Sequence, residues 1–460
     1  MEQKFYILKK LLLVICCITS SFFSHAVIRY VKTAATGTGD GSSWANASSN
    51  LQLMINNSGI GDQVWVKAGT YRPTRDINGS TSPADPRSKT FLLKSGVLIY
   101  GGFDGTETML SERDIASNLT TLTGDIGTIG DHTDNAYHVT YANNVTANTR
   151  LDGFRVTRGQ ADGSILSQDD IGSALYIFRG GTNLKIFYCT FFNNEGDRGG
   201  AIFVDAYTGS NGNCSPVISN CQINNNHANY GAGIIMLASG NTSVVSPQIS
   251  HCTFNGNSGG LVGAGIDISV SNGAVSNAII NDCEFKQNTC DEGAALYMSM
   301  SSASSDCSPV VSNCVFTGNS ALGTGGAVSS TSYDPAIITA SFQNCVFSEN
   351  SLSPMYIGAG AAVYLRGANT SSFTNCTFFG NTYSASSNGG AAIGMNSFGG
   401  SDDPHPVVKN CIAWGNTSFL GLGNYTTNVT YSLIQGGYAG AGNVSTNAYF
   451  VNAADPDGAD

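Results

Sequence analysis

One short pattern recurs eight times between positions 188 and 416, at an almost fixed period, and few folds tolerate that. It reads Cys, any residue, an apolar residue, two more residues, then Asn. The copies are Cys189, Phe191 and Asn194; Cys221, Ile223 and Asn226; Cys252, Phe254 and Asn257; and Cys283, Phe285 and Asn288. They continue as Cys314, Phe316 and Asn319; Cys345, Phe347 and Asn350; Cys376, Phe378 and Asn381; and Cys411, Ala413 and Asn416. Successive cysteines are 32, 31, 31, 31, 31, 31 and 35 residues apart. A regular period of this size marks a repeat architecture in which each unit buries its apolar face only against its neighbours.

Two further positions run in step. One is a Gly, small, Ala/Gly, aliphatic signature, as in Gly199-Gly200-Ala201-Ile202, Gly231-Ala232-Gly233-Ile234 and Gly325-Gly326-Ala327-Val328. The other is an aliphatic residue or Phe three positions before the Cys: Ile218, Ile249, Ile280, Val311, Phe342, Phe373 and Val408. Side chains alternate along a strand, so residues at Cys−3 and Cys+2 face inward together only if the chain bends between them. Cys−1 supplies the bend: Asn220, Asn313, Asn344, Asn375 and Asn410, with Tyr188, His251 and Asp282 elsewhere. Asn and Asp tolerate left-handed backbone angles.

Each period therefore predicts two or three short strands joined at corners and stacked coil on coil. That is an all-β, parallel β-helix with coils of about 31 residues, and crossover chirality favours the right-handed form. In-register stacking places the Asn residues above one another as an amide ladder. The Cys, apolar and Asn ladders thus read as structural, with no catalytic, cofactor or metal role.

Export is the next expectation. Residues 1–26 carry Lys4, Lys9 and Lys10, an apolar run over 11–23 and Ser24-His25-Ala26, the layout of a secretory signal. Removing them takes away three lysines and Glu2, so a formal charge of −11 becomes about −13. That acidity argues against nucleic acid and anionic membrane surfaces as partners, and no later stretch is long enough to span a bilayer. Exported cysteines ordinarily pair. Here stacked Cβ vectors match poorly the torsion a disulfide needs, so the eight ladder cysteines are expected to be free and buried. Cys214 and Cys307, three coils apart, are too distant to bridge, and the redox state of Cys214, Cys290 and Cys307 is left open.

Leu51, Met54 and Ile55 follow helical spacing behind Ser and Asn caps, predicting a short helix that covers the open end of the stack and protects its strand edges. The expected organisation is a signal over 1–26, a cap and first coils over 27–150, a repeat region over 151–436, and a polar C-terminal segment over 437–460. The last segment reads as incomplete, because the sequence stops at Asp460 within a polar loop.

Gly41-Ser42-Ser43-Trp44-Ala45, Ala68-Gly69-Thr70-Tyr71, Tyr100-Gly101-Gly102-Phe103, Leu122-Thr123-Gly124-Asp125 and Leu151-Asp152-Gly153-Phe154 occur in that order. Together they resemble the N-terminal part of secreted, pectin-lyase-like right-handed β-helix proteins of the Bacteroidetes type. The Phe-x-x-Asn and Gly-Gly-Ala elements resemble the repeats of polymorphic outer membrane proteins. The first resemblance implies the fold and export, and the second implies a surface adhesin.

Enzymes of the pectin-lyase-like kind imply clustered acids for Ca²⁺ with a basic residue, or paired carboxylates for hydrolysis. Candidate acids are Glu195 and Asp197 with Arg198, Asp291 with Glu292, Asp169 with Asp170, and Asp402 with Asp403. No column of acids shows in the ladders, so each reads as a solvated turn. His138 reads as packed, and His132, His227, His251 and His405 lack metal-ligand spacing. Trp44, Trp65 and the tyrosines offer sugar-stacking surface or core. The function expected is therefore a non-catalytic secreted or outer-surface protein binding cells, matrix or glycans. The alternative is a polysaccharide lyase or glycoside hydrolase.

Overall fold

The computed structural model describes residues 26–207, 212–353, 359–384, 390–398, 403–421, 425 and 427–448. The expected signal segment, save Ala26, and positions 449–460 lie outside them, as does Asp402. All strand pairs are parallel and stack the coils into long sheets. Sheet one has 13 strands, from Ile28–Val31 to Asn428–Thr430, and sheet two has 12, from Gly69–Tyr71 to Leu433–Ile434. Sheet three has 8, from Gln160–Ala161 to Thr382–Tyr383, and sheet four has 11, from Phe91–Leu93 to Leu420–Gly421. The molecule is a parallel β-helix of about 12 turns, with coils of about 32 residues.

In the middle coils the chain passes four sheets in turn, one more than the upper end of the expected two or three strands. Three left-handed corners make this possible. Cys−1 is left-handed in all eight copies, from Tyr188 (φ 51°) to Asn410 (φ 54°). A second corner at Cys+4 uses Asn193, Asn225, Gly256, Gln287, Gly318, Glu349, Gly380 and Gly415. The third is the first glycine of each Gly/Ala signature, for example Gly263 at φ 60°. Two residues further on, Gly265 is small for a different reason: a Cβ there would lie 2.3 Å from the Ala295 carbonyl oxygen of the next coil.

The core runs the length of the stack. Phe254, Phe285, Phe316, Phe347 and Phe378 are buried in one file, with adjacent ring centroids 4.7–4.9 Å apart. Beside it, each ladder Cys Sγ lies 3.2–3.4 Å from the carbonyl oxygen two residues earlier. All eleven described cysteines are free and buried. Burial pushes the thiols of Cys214, Cys290 and Cys307 up to about 12, which leaves them protonated and unreactive.

The Asn file carries the densest hydrogen bonding. Each Asn Nδ2 from Asn194 to Asn381 donates to Oδ1 of the next Asn at 2.8–3.0 Å. Its backbone N–H donates to the same oxygen at 3.0–3.1 Å. Nδ2 also donates back to the carbonyl of the apolar residue one coil earlier, as Asn319 does to Phe285 at 2.9 Å.

At the N-terminal end the helix Leu51–Asn57 stands where the first coil would otherwise supply strands to the other sheets. Asn50 caps it, accepting from the Leu53 N–H at 2.9 Å. Leu51, Met54 and Ile55 are buried in the main core with Val31 and Val64.

Candidate functional site

Sheet three is where polar chemistry gathers. The inward residues of its first coils are small, Ala161, Gly196, Ala228 and Gly259, while Leu352 and Tyr383 take the same place in its last two strands. The outward residues of its first coils are large and polar. Gln160, Glu195 and His227 are register partners on successive coils, and two positions on, Asn229 donates to Asp197 Oδ1 at 2.7 Å. Two segments rise beside this wall, one contributing Gly130, Asp131, His132 and Asn135, the other Asp162, Gly163, Ile165 and Asp170. Between them lies a cleft in two adjoining lobes of about 290 and 540 Å³, which share Gln160, Glu195 and His227.

Arginines pin the walls. Arg87 lies 4.1 Å over the Tyr137 ring and donates to the Asn135 carbonyl, the Gln160 carbonyl and Asp162 Oδ1 at 2.7, 2.7 and 2.5 Å. Arg198 holds Asp170 Oδ2 from Nη2 at 2.7 Å and from Nε at 3.1 Å. Arg158 meets Asp125 Oδ2 at 2.8 Å, while Asp125 Oδ1 accepts the Gly130 N–H at 2.9 Å.

Two acceptors are left over. Asp170 is 5% exposed and lines the cleft, yet its Oδ1 is buried without a hydrogen-bond partner. Asn135, 3% exposed and lining the other lobe, has Oδ1 in the same condition. A buried polar atom left unpaired costs about 1–3 kcal/mol, and neither oxygen presents surface to the cleft.

The sequence expectation needs correction here. Glu195, Asp197 and Asp170 are not scattered solvated turns: the fold brings them, with Asp162, to one cleft. Asp291 and Glu292 belong to a later coil. Asp402 lies outside the described residues. Among the described residues no three His, Cys, Asp or Glu side chains converge as a metal site. His138 is half-buried, its ring centroid 5.5 Å from that of Tyr176, and desolvation holds its basicity below the usual imidazole range. Trp65 packs on Phe103, centroids 4.7 Å apart, in a buried cluster on the outer face of sheet one. Trp44 joins that cluster and donates to the Glu107 carbonyl at 2.9 Å. His251 lies 3.7 Å from Asp282 on the outside of the stack.

A second group of titratable residues lies on the outer face of sheet four. Asp267, Tyr297, Ser329 and Tyr364 are register partners on successive coils. Burial pushes the Asp267 carboxyl up to about 7, against the opposing hydrogen bond that Ser269 donates to Oδ1 at 2.8 Å. Burial likewise raises Glu292, with Arg366 opposing. Arg366 lies 3.9 Å over the Phe398 ring, which stacks on Tyr333.

Residues 313–331, part of one coil of the ladder, match the Chlamydia polymorphic membrane protein repeat. Several solved structures are similar along most of the chain. A pectate lyase, Pel9A, is 13% identical with a TM-score of 0.43, covering 92% of this chain and 82% of that one. A rhamnogalacturonan lyase is 13% identical with a TM-score of 0.41, covering 88% and 87%. The A-module of Azotobacter vinelandii mannuronan C-5 epimerase AlgE6 is 11% identical with a TM-score of 0.31, covering 86% and 95%. The likeness is one of fold, the parallel β-helix. No curated protein sequence matches the chain, and among the described residues no helix is long and apolar enough to cross a membrane.

Proposed function

We propose that this chain is a secreted or outer-surface β-helix that binds a glycan, without turning it over, in the cleft above sheet three, and so attaches its bearer to cells or matrix. The observation that carries this reading is the cleft itself, where Gln160, Glu195, Asp197, His227 and Asn229 from three successive coils present side chains suited to hydroxyl groups. Sugar hydroxyls supply donors at close spacing, and a preformed concave site with a few fixed polar groups is the usual form of a small-molecule or chain-binding site. The rigid stack holds the cleft floor without any ligand, so little ordering cost accompanies binding.

One observation favours the enzymatic alternative: Glu195, Asp197 and His227 project from neighbouring coils onto one wall. A carboxylate pair or a carboxylate with an imidazole is what glycoside hydrolysis or elimination uses. A glycan array followed by titration of the best oligosaccharide, with and without Ca²⁺, tests both. Saturable binding that falls at least tenfold in Asp197→Ala and in His227→Ala, with no new reducing ends or unsaturated products, is expected. Binding indifferent to both substitutions would overturn the cleft assignment, and sustained turnover abolished by Glu195→Gln would establish the alternative.

A further inference from the structure

A second site lies away from the cleft, on the outer face of sheet two, and we propose that it binds a single acidic, N-acylated sugar through its carboxylate and acyl group. After Phe103 the chain leaves sheet one, and residues 104–119 run outside the stack before sheet two resumes at Thr120. Ile115 and Leu119 from this excursion wall a pocket of about 310 Å³. Its floor is an outward file of register partners, Arg155, Thr190 and Gln222, with Tyr188 at the corner beside them. The volume is at the small end for ligand pockets and suits one sugar unit rather than a chain.

Charge selects the ligand. Six arginines among the described residues are ion-paired with aspartates, and Arg155 is not. Its guanidinium lies 4.8 Å over the Phe192 ring, which holds it on the sheet with its N–H donors unused. No acid lines the pocket. Asp152 is taken by Arg113 and Arg150, while Glu112 and Asp114 accept N–H groups of their own segment, from Thr108 at 2.7 Å and Ser117 at 3.0 Å. An unpaired guanidinium matches a carboxylate in charge and in fork geometry. The facing wall adds a second requirement. Ile115 and Leu119, the latter 54% exposed, gain from covering by an apolar group such as an acyl methyl, whereas a plain uronate sets hydroxyls against them. Thr190 and Gln222 remain for the ring hydroxyls.

Tyr188 is an independent observation pointing to the same place. It holds the left-handed corner, at φ 51°, that the other seven copies fill with Asn, Asp or His, the residues favoured there. Its ring is 47% exposed, so packing does not account for it. A bulky aromatic at a disfavoured backbone angle, turned outward beside an unpaired cation, is explained by a sugar that lies against the ring.

The test titrates the full chain with four sugars that vary charge and acylation separately: N-acetylneuraminyl-lactose, galacturonic acid, N-acetyllactosamine and lactose. The first is expected to bind about tenfold or more tighter than each of the others, and to lose about tenfold in Arg155→Ala. Tyr188→Asn should lose about fivefold while the denaturation midpoint holds or rises, because Asn suits that corner, so the loss is not one of folding. Equal binding of lactose or N-acetyllactosamine would overturn the carboxylate requirement, and equal binding of galacturonic acid the acyl requirement. Binding unchanged in both variants, or lost in Asp197→Ala instead, would overturn the pocket and leave only the cleft. Failure of N-acetylneuraminyl-lactose to bind would overturn the proposal outright, without touching the cleft reading.

Discussion

Replacing Asn319 with Leu should damage the stack far more than its size change suggests. Asn319 is fully buried. Its Oδ1 accepts the backbone N–H of Asn288 at 3.1 Å and Asn288 Nδ2 at 2.9 Å, and its own Nδ2 donates to Asn350 Oδ1 at 3.0 Å and the Phe285 carbonyl at 2.9 Å. Leu fills a similar volume but answers none of these groups. At minimum two buried donors on Asn288 lose their acceptor, at about 1–3 kcal/mol each, giving roughly 2–6 kcal/mol. The control is Asn344→Asp, at the exposed corner of the next coil, where an acidic residue still tolerates the left-handed angle; it loses one exposed hydrogen bond, to Asn313 Oδ1, and its cost should stay within about 1 kcal/mol. Each coil touches mainly its neighbours, so the loss should be local. Hydrogen exchange read by mass spectrometry should quicken in peptides spanning 283–324 and remain unchanged near 189–198. If Asn319→Leu and Asn344→Asp shift the denaturation midpoint equally, or exchange quickens uniformly along the chain, the ladder is not the stabilising element described.

Four further outcomes follow from the same geometry. Phe316→Ala, which removes a ring stacked 4.8 Å from both Phe285 and Phe347, should cost roughly 3–5 kcal/mol by chemical denaturation. Thr317→Ala should cost about 1 kcal/mol or less, because Thr317 is half-buried and its Oγ1 lies 2.8 Å from Ser348 Oγ. Asp267 has a folded pKa raised to about 7, above its unfolded value, so its contribution to stability is complete below about pH 4 and is lost as pH rises through 7. Asp267→Asn should therefore be more stable than the parent at about pH 8, by roughly 2–4 kcal/mol, and should lose that advantage near pH 4; denaturation midpoints at both pH values check this. A thiol reagent should label few of the ladder cysteines in the folded protein and nearly all after denaturation, and disulfide-linked ladder peptides in unreduced mapping would refute it.

The ladders were legible because each acts through a period: a buried Cys, Phe or Asn must recur whenever the chain returns to the same point of the coil. The corner at Cys−1 was legible for the same reason, through its run of Asn. The corner at Cys+4 was not, since Asn225, Gln287, Gly318 and Glu349 share a backbone angle but no side-chain chemistry. Sheet three escaped because its inward positions hold Ala161, Gly196, Ala228 and Gly259, too small to register as an apolar alternation. The site was half visible. Glu195, Asp197 and Arg198 stood out as a charged cluster, but Asp170 meets Arg198 across 28 residues and Arg87 meets Asp162 across 75. Neither separation is a coil period, so only the folded chain brings those groups together. One signal was available: stepping back 35 residues from Glu195 reaches Gln160, its register partner on the preceding coil.

The most direct test of the account is a crystal structure of the protein with its tightest-binding oligosaccharide. The cleft reading predicts a sugar lying between the 130–135 and 162–170 segments, with its hydroxyl groups about 3 Å from the Glu195 carboxylate and the His227 imidazole. A sugar seated instead on the exposed Phe398 and Tyr333 rings outside sheet four, with the cleft empty, would contradict it.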